Sequence, residues 1–274
     1  MAMLLTPCSY WKLFVLGLVA SIFLTPAWGQ VDWRSQVKTL PTSELLLLGE
    51  QHDALEHQEL ARLSVQSLAS KQKLSALLLE MVDDGLNTKG MPVDSTESVV
   101  RERLKWGDAG WPWSSYGPIV MQAVRVGVPV IGSNLPQSAM SEVMSDASWD
   151  AKVPSAVLSA HKESMIKGHC GLLPASQVPA MARIQIARDE RMSRTAQQWM
   201  SKGGTVLLLA GAEHVKKDRG IPLLLDPSAA SKMSVVWMQA STSVNQDSSF
   251  ADVNWLTPPV APKDYCANLA KSLK

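Results

Sequence analysis

Two histidines stand in the same local pattern, Gly49-Glu50-Gln51-His52 and Gly211-Ala212-Glu213-His214. Each motif follows an aliphatic run, Leu45–Leu48 in one case and Thr205–Ala210 in the other. A glycine lets the chain turn sharply and brings backbone close to a ligand. An imidazole three residues on can ligate a metal, act as a base or hydrogen-bond an anion. Carboxylates accompany both motifs: Glu50 and Glu213 lie inside them, and Glu80 follows a third aliphatic run, Ala76–Leu79. Carboxylates beside imidazoles suit a divalent metal or general acid–base work. Glu50, His52, Glu80 and His214 are therefore the candidate catalytic groups, and His52, His214 and Glu80 the candidate metal ligands. Two unrelated loop histidines held by backbone carbonyls would give the same letters. Glu80 would then be a helix cap or a partner for Arg188, and Glu213 simply solvated.

Other residues could join such a site. Met181, Ile184, Arg188 and Met192 recur at helical spacing, which puts Arg188 in an apolar stripe. A guanidinium there needs a partner. The choices are a structural salt bridge to Glu50 or Glu80, or the carboxylate of a ligand. Asp189 lies beside the stripe, within reach of a motif histidine. His169, in Gly168-His169-Cys170-Gly171, and Asn134, in Gly132-Ser133-Asn134, are further candidates for ligand contact. His57 and His161 lie in helical segments without motif context and are expected at the surface. Trp106, Trp111, Trp113 and Tyr116 form an aromatic cluster ahead of a helix. Such a cluster packs a core or forms the wall of a site for a flat ligand, with Trp113 and Tyr116 as the contacts. Apart from Tyr265, Tyr116 is the only tyrosine after residue 29.

The elements that must position these groups are short strands alternating with helices. Strands are expected at Leu45–Leu48, Ala76–Leu79, Val128–Ile131, Thr205–Ala210 and Ser234–Met238, and helices at Asp53–Lys71, Tyr116–Val126 and Ser176–Lys202. Continuous aliphatic strands separated by helices predict an α/β fold, a mainly parallel sheet flanked by helices. Ser138–Lys167 carries no strand signal, so a smaller helical subdomain or insertion is expected at about 138–175. In open α/β sheets ligands bind outside the carboxyl ends of the strands. The Glu50–His52, Glu80, Asn134 and Glu213–His214 segments all fall at such ends.

The N-terminal 29 residues read as a cleavable signal peptide. Lys12 precedes the apolar run Leu13–Leu24, and Ala27 and Gly29 suit a cut after Gly29. That run is shorter than the roughly 20 residues that span a bilayer. No cysteine follows it to carry a lipid, so a periplasmic or secreted form is expected. Residues 30–274 then make one domain. With 26 basic and 25 acidic residues, the net charge of +1 gives no basic patch for nucleic acid. Cys170 and Cys266 remain after cleavage. In an oxidising compartment they are most simply a disulfide, with a thiolate metal site as the alternative.

These residues together resemble the ChaN-like family, within the superfamily of haem-binding uptake proteins, Tiki proteases and erythromycin-esterase-like proteins. The resemblance rests on Leu48–His52, Leu79-Glu80-Met81, Trp113 with Tyr116-Gly117-Pro118, and Gly132–Pro136. It continues through Gly168–Gly171, Ala187-Arg188-Asp189, and Gly211–His214 with Asp218, Gly220 and Pro222. It implies a parallel sheet with flanking helices, haem binding and a role in iron acquisition at the bacterial envelope. The expected ligand is haem, with Tyr116 or a motif histidine on the iron. The expected partners are components of envelope iron uptake and a second copy of the chain. Tiki and TraB relatives imply the alternative, a metal-dependent hydrolase using the two GxxH motifs and a divalent ion. ChaN-type proteins are often lipoproteins, and the missing lipobox cysteine departs from that pattern.

Overall fold

The computed structural model describes residues 32–243 and 248–272; the expected signal segment, 1–29, lies outside them. Strand β1 (Leu45–Glu50) shows how the sheet is built. Its four leucines are fully buried and alternate between layers, Leu46 and Leu48 on one face, Leu45 and Leu47 on the other. A strand inside a parallel sheet buries both faces, hence the unbroken aliphatic run. Each such leucine contributes roughly 1.5–3 kcal/mol by leaving water. The same alternation continues in β2 (Leu74–Asp83) and β4 (Thr205–Gly211). With β3 (Val130–Asn134), β5 (Met233–Ala240) and β6 (Val253–Thr257) they form one six-stranded sheet. Its order is β3-β2-β4-β1-β5-β6, and every neighbouring pair is parallel. The two motif strands, β1 and β4, are therefore adjacent, with Glu50 opposite Gly211.

The helices are α1 (Leu55–Ser70), α2 (Glu97–Arg103), α3 (Trp113–Arg125), α4 (Met140–Ser145), α5 (Ser155–Gly168), α6 (Val178–Met200), α7 (Pro227–Ala230) and α8 (Tyr265–Ser272). Helices α1 and α3 cover one face of the sheet through Leu60, Val65, Ile119 and Val120. Helix α6 covers the other through Met192, Ala196 and Met200. The stretch expected as a helical insertion folds as α4, a 3-10 turn at Ala147–Ala151, and α5. Val143 of α4 packs with Ile184 and Ala187 of α6 in a separate small core. Among the described residues no helix is long and apolar enough to cross a membrane.

The strands run further at their carboxyl ends than their aliphatic letters suggest. Glu50, Gly132, Asn134 and Gly211 are paired in the ladder, and Glu80 and Ser133 lie within strands where the β2–β3 register shifts between Leu79 and Asp83. Strand β6 and helices α2 and α8 were not expected. His57 and His161 are not surface residues: both are buried. His57 accepts the Gln51 N–H at Nδ1 (2.9 Å) and lies 3.0 Å from the Thr257 hydroxyl at Nε2. Burial pushes its pKa down to about 4, so it is neutral. His161 Nε2 donates to the Arg219 carbonyl (3.1 Å), and burial lowers its pKa too. Cys170 and Cys266 are joined in a disulfide, with Cα atoms 5.6 Å apart.

Candidate functional site

The adjacency of β1 and β4 brings the two GxxH motifs together, and their glycines show how tightly. A Cβ on Gly211 would lie 2.7 Å from His52 Nε2 and 3.5 Å from Glu80 Oε2. A Cβ on Gly49 would overlap the side chain of Val215, just beyond His214. Each glycine thus makes room for residues of the other motif. Neither has a positive φ, so space rather than backbone conformation requires glycine there.

Glu50 is almost fully buried and collects three donors. His52 Nδ1 lies 2.9 Å from Oε1, the Tyr116 hydroxyl donates to the same oxygen at 2.6 Å, and the Gln58 amide donates to Oε2. His52 Nε2 faces Glu80 Oε2 at 4.0 Å, and 40% of its side chain remains exposed. Burial works against a charged His52, but the Glu50 hydrogen bond and the charges of Glu80 and Glu50 outweigh it and raise the pKa.

Glu80 joins the two motifs. It accepts the Gly211 N–H (2.7 Å) and lies 3.3 Å from His214 Nε2. On the other side of that ring, Asp189 Oδ1 lies 2.5 Å from Nδ1. Burial disfavours charge on His214, yet the two carboxylates raise its pKa to about 10. It is therefore an imidazolium with both nitrogens donating. Burial alone would raise the Glu80 pKa, and the His214 cation brings it down to about 2. The result is one connected chain of side chains, Glu50–His52–Glu80–His214–Asp189, with the His214 imidazolium held between two buried carboxylates.

Glu50, His52, Glu80 and His214 of this chain form the floor of a cavity of about 1500 Å³. Trp111, Trp237, Met238 and Met165 supply apolar walls, and Arg188, Gln185 and Tyr265 are among its other polar lining residues. Trp111 stands edge-on to the His52 ring, with centroids 4.8 Å apart. The wall near α8 is tied down twice. The disulfide fixes Cys266 to the end of α5, and the Tyr265 hydroxyl and Lys263 Nζ both donate to Asp53.

The structure brings together Glu50, His52, Glu80, His214 and Arg188, with Glu213 at the rim, and it does not bring Tyr116, Trp113, Asn134 or His169 to the cavity surface. Tyr116 is 1% exposed. Burial and the neighbouring Glu50 charge push its pKa upward, so it is a neutral phenol orienting Glu50. Trp113 turns into the core, donates Nε1 to Glu97 (2.9 Å) and packs on Gly117. Asn134 is buried and accepts the Leu135 N–H. His169 Nδ1 donates to the Met165 carbonyl at 2.8 Å, and it is Gly168 that lines the cavity. Glu213 lies at the rim, paired with Lys216. Arg188 reaches neither Glu50 nor Glu80. Among the described residues no group of three or more His, Cys, Asp or Glu side chains is arranged to hold a metal ion. Glu80 is ion-paired with both His52 and His214, and Asp189 holds the other ring nitrogen of His214. Gln58, Gln185, Trp237 and the tail residue Tyr265 complete the site without any local sequence signal.

Residues 36–225 match the family model described as haem-binding uptake, Tiki superfamily, ChaN. Among curated proteins none matches. The solved structure of ChaN from Campylobacter jejuni, described as showing cofacial heme binding, superposes with a TM-score of 0.65. It is 22% identical over 80% of this chain and 89% of that one, a likeness of fold. The type III effector HopBA1 is 13% identical over 82% of this chain and 92% of its own, with a TM-score of 0.44.

Proposed function

The chain belongs to the haem-binding uptake, Tiki superfamily, ChaN family, and from that premise we propose that it binds haem in the cavity above Glu50, His52, Glu80 and His214. The observation that carries the reading is the cavity itself. Its volume of about 1500 Å³ exceeds the roughly 300–1,000 Å³ of ordinary small-molecule sites. Trp111, Trp237 and Met238 offer flat apolar walls. His52 is the side chain suited to face iron. Glu50 holds its Nδ1–H and so leaves Nε2 as the donor nitrogen, the usual arrangement of a metal-ligating imidazole. Tyr265, 53% exposed and lining the cavity, is the competing ligand as a phenolate, provided it gives up the hydrogen bond it donates to Asp53. Tyr116 is unsuited, since it is buried and does not line the cavity.

Hemin titrated into the protein lacking residues 1–29 tests this. A saturable Soret shift is expected in wild type and in Tyr116→Phe, with an altered spectrum in His52→Ala. A shift altered only in Tyr265→Phe would move the ligand to the tail, and no saturable shift in wild type would remove the haem reading.

The finer reading is a carrier in the periplasm serving iron acquisition, exported by residues 1–29. The apolar run Leu13–Leu24 supports export, and the disulfide suits an oxidising compartment. Cell fractionation and the N-terminal mass of the exported form test it. A second reading, a hydrolase, is favoured by the two carboxylate–imidazole pairs, Glu50–His52 and Asp189–His214, at one cavity. Peptide or ester hydrolysis abolished by His52→Ala, in a protein that takes up no hemin, would promote it.

A further inference from the structure

Helix α6 carries four arginines between Arg183 and Arg194, and the one facing the cavity is the one without a partner. Arg183 pairs with Asp150 at 2.8 Å, and Arg191 and Arg194 both meet Asp84. Arg188 lines the cavity, and its Nε is buried with no hydrogen-bond partner. Among the described residues no acidic side chain is ion-paired with it. Asp189, the next residue, projects to a different side of the helix and is held by His214. Among the described residues lining the cavity, Arg188 is also the only lysine or arginine, set among Glu50, Asp53, Glu80 and Glu213. A guanidinium kept in an acidic cavity without a protein partner is a donor fork awaiting an acceptor. Its planar geometry matches a carboxylate through two parallel hydrogen bonds.

We propose that Arg188 anchors a carboxylate of the ligand and so selects free-acid ligands over their esters. On the haem reading, on which this inference rests, that carboxylate is a propionate. The anchor sets the orientation of the macrocycle, and the carboxylates along the cavity floor repel a propionate turned the other way. Because Arg188 holds up no other residue, its loss should cost affinity and leave folding intact.

The test compares hemin, hemin dimethyl ester and iron-free protoporphyrin IX on wild type, Arg188→Gln and Arg188→Lys, with thermal melts of all three proteins. Wild type should bind hemin about tenfold or more tighter than the diester, the size expected for a charged hydrogen bond. Arg188→Gln should bring hemin down to the affinity of the diester at an unchanged Tm. Arg188→Lys should recover part of the preference, because lysine keeps the charge but not the fork. Protoporphyrin IX should show the same dependence on Arg188, which separates the anchor from the iron ligand. Equal affinity of wild type for hemin and its diester would overturn the anchor and leave the haem reading standing. So would an Arg188→Gln variant that melts far below wild type while retaining its ester discrimination. A wild type that binds no porphyrin would overturn both.

Discussion

Replacing His214 by glutamine should be the most damaging single change at the site, and its cost should depend on pH in a specific way. His214, Glu80 and Asp189 are all at most 5% exposed, so solvent screens their pairing little. The substitution keeps a hydrogen-bonding side chain but removes the cation, leaving two buried carboxylates unneutralised. Removing one partner of a buried pair costs about 3–5 kcal/mol. The upper end agrees with the raised pKa. Moving an imidazole from 6.5 to about 10 favours its charged form by roughly 5 kcal/mol. That is a large share of the roughly 5–15 kcal/mol that holds a domain together.

The sign follows from which state holds the proton. The folded pKa of His214 lies above the unfolded one. Its contribution is therefore complete below pH 6.5 and is lost as pH climbs toward about 10. In the variant Glu80 and Asp189 no longer face a cation, and burial raises both. They take up protons more readily folded than unfolded, so the variant regains stability as pH falls from their raised folded values toward the ordinary carboxylate range, about 4. The gap between the two proteins should thus be widest near neutrality and shrink on either side. Urea unfolding of wild type and His214→Gln from about pH 4 to about pH 10 reads it directly. A gap below about 1 kcal/mol at pH 7, or one that stays flat with pH, would refute the imidazolium assignment.

Three further outcomes are expected. Gly211→Ala should leave the protein folded, at a cost toward the low end of the roughly 1–3 kcal/mol of overpacking. The clash is with the half-exposed His52 ring, which can swing away, so the variant should weaken hemin binding more than it lowers Tm. Gly220→Ala should cost more, at or above about 3 kcal/mol, because its Cβ would overlap the backbone carbonyl of His214, which cannot move aside; comparative urea melts check the order. Replacing both Cys170 and Cys266 by serine should lower stability by about 2–5 kcal/mol and loosen the α8 wall, seen as faster amide exchange near Tyr265; intact masses of the unreduced protein lacking residues 1–29 should show no alkylatable thiol.

The parts of the fold legible in the sequence were those whose burial is complete on both faces. The runs at Leu45 and Thr205 can only be inner strands, and they are the two at the centre of the sheet. Strand β6 escaped notice because it is an edge strand with mixed letters, Val-Asn-Trp-Leu-Thr, held by β5 on one side only. Carboxyl ends were misjudged because a ladder bond needs backbone and not an aliphatic side chain, so polar residues such as Glu50 and Asn134 continue it. His57 and His161 were misread for a different reason. The partner of His57 Nε2 lies 200 residues away, and that of His161 lies 58 away. No local pattern can announce a histidine whose acceptor is supplied by another part of the chain. Trp111 and Trp113 make the same point at close range. Trp111, just before α3, stands against His52, whereas Trp113, on its first turn, is directed into the core.

The site itself was legible because its two motifs repeat, yet the reason for the repeat is not the one that the letters suggest. Read alone, each Gly-x-x-His looks like a turn that lets backbone approach a ligand. In the structure each glycine is required by its counterpart: Gly211 by the His52 ring, Gly49 by the segment just beyond His214. Glu80 completes the junction by accepting from the Gly211 amide while facing both imidazoles. The five polar side chains from Glu50 to Asp189 are thus one interlocked unit that needs β1 beside β4 and β2 beside β4. An interlocked unit of this kind presents to the cavity only what it does not consume internally. His214 spends both nitrogens inside the chain, and Tyr116 spends its hydroxyl on Glu50. The partly exposed His52 ring and the guanidinium of Arg188 are left to the cavity, one offering a nitrogen and the other a fork of donors.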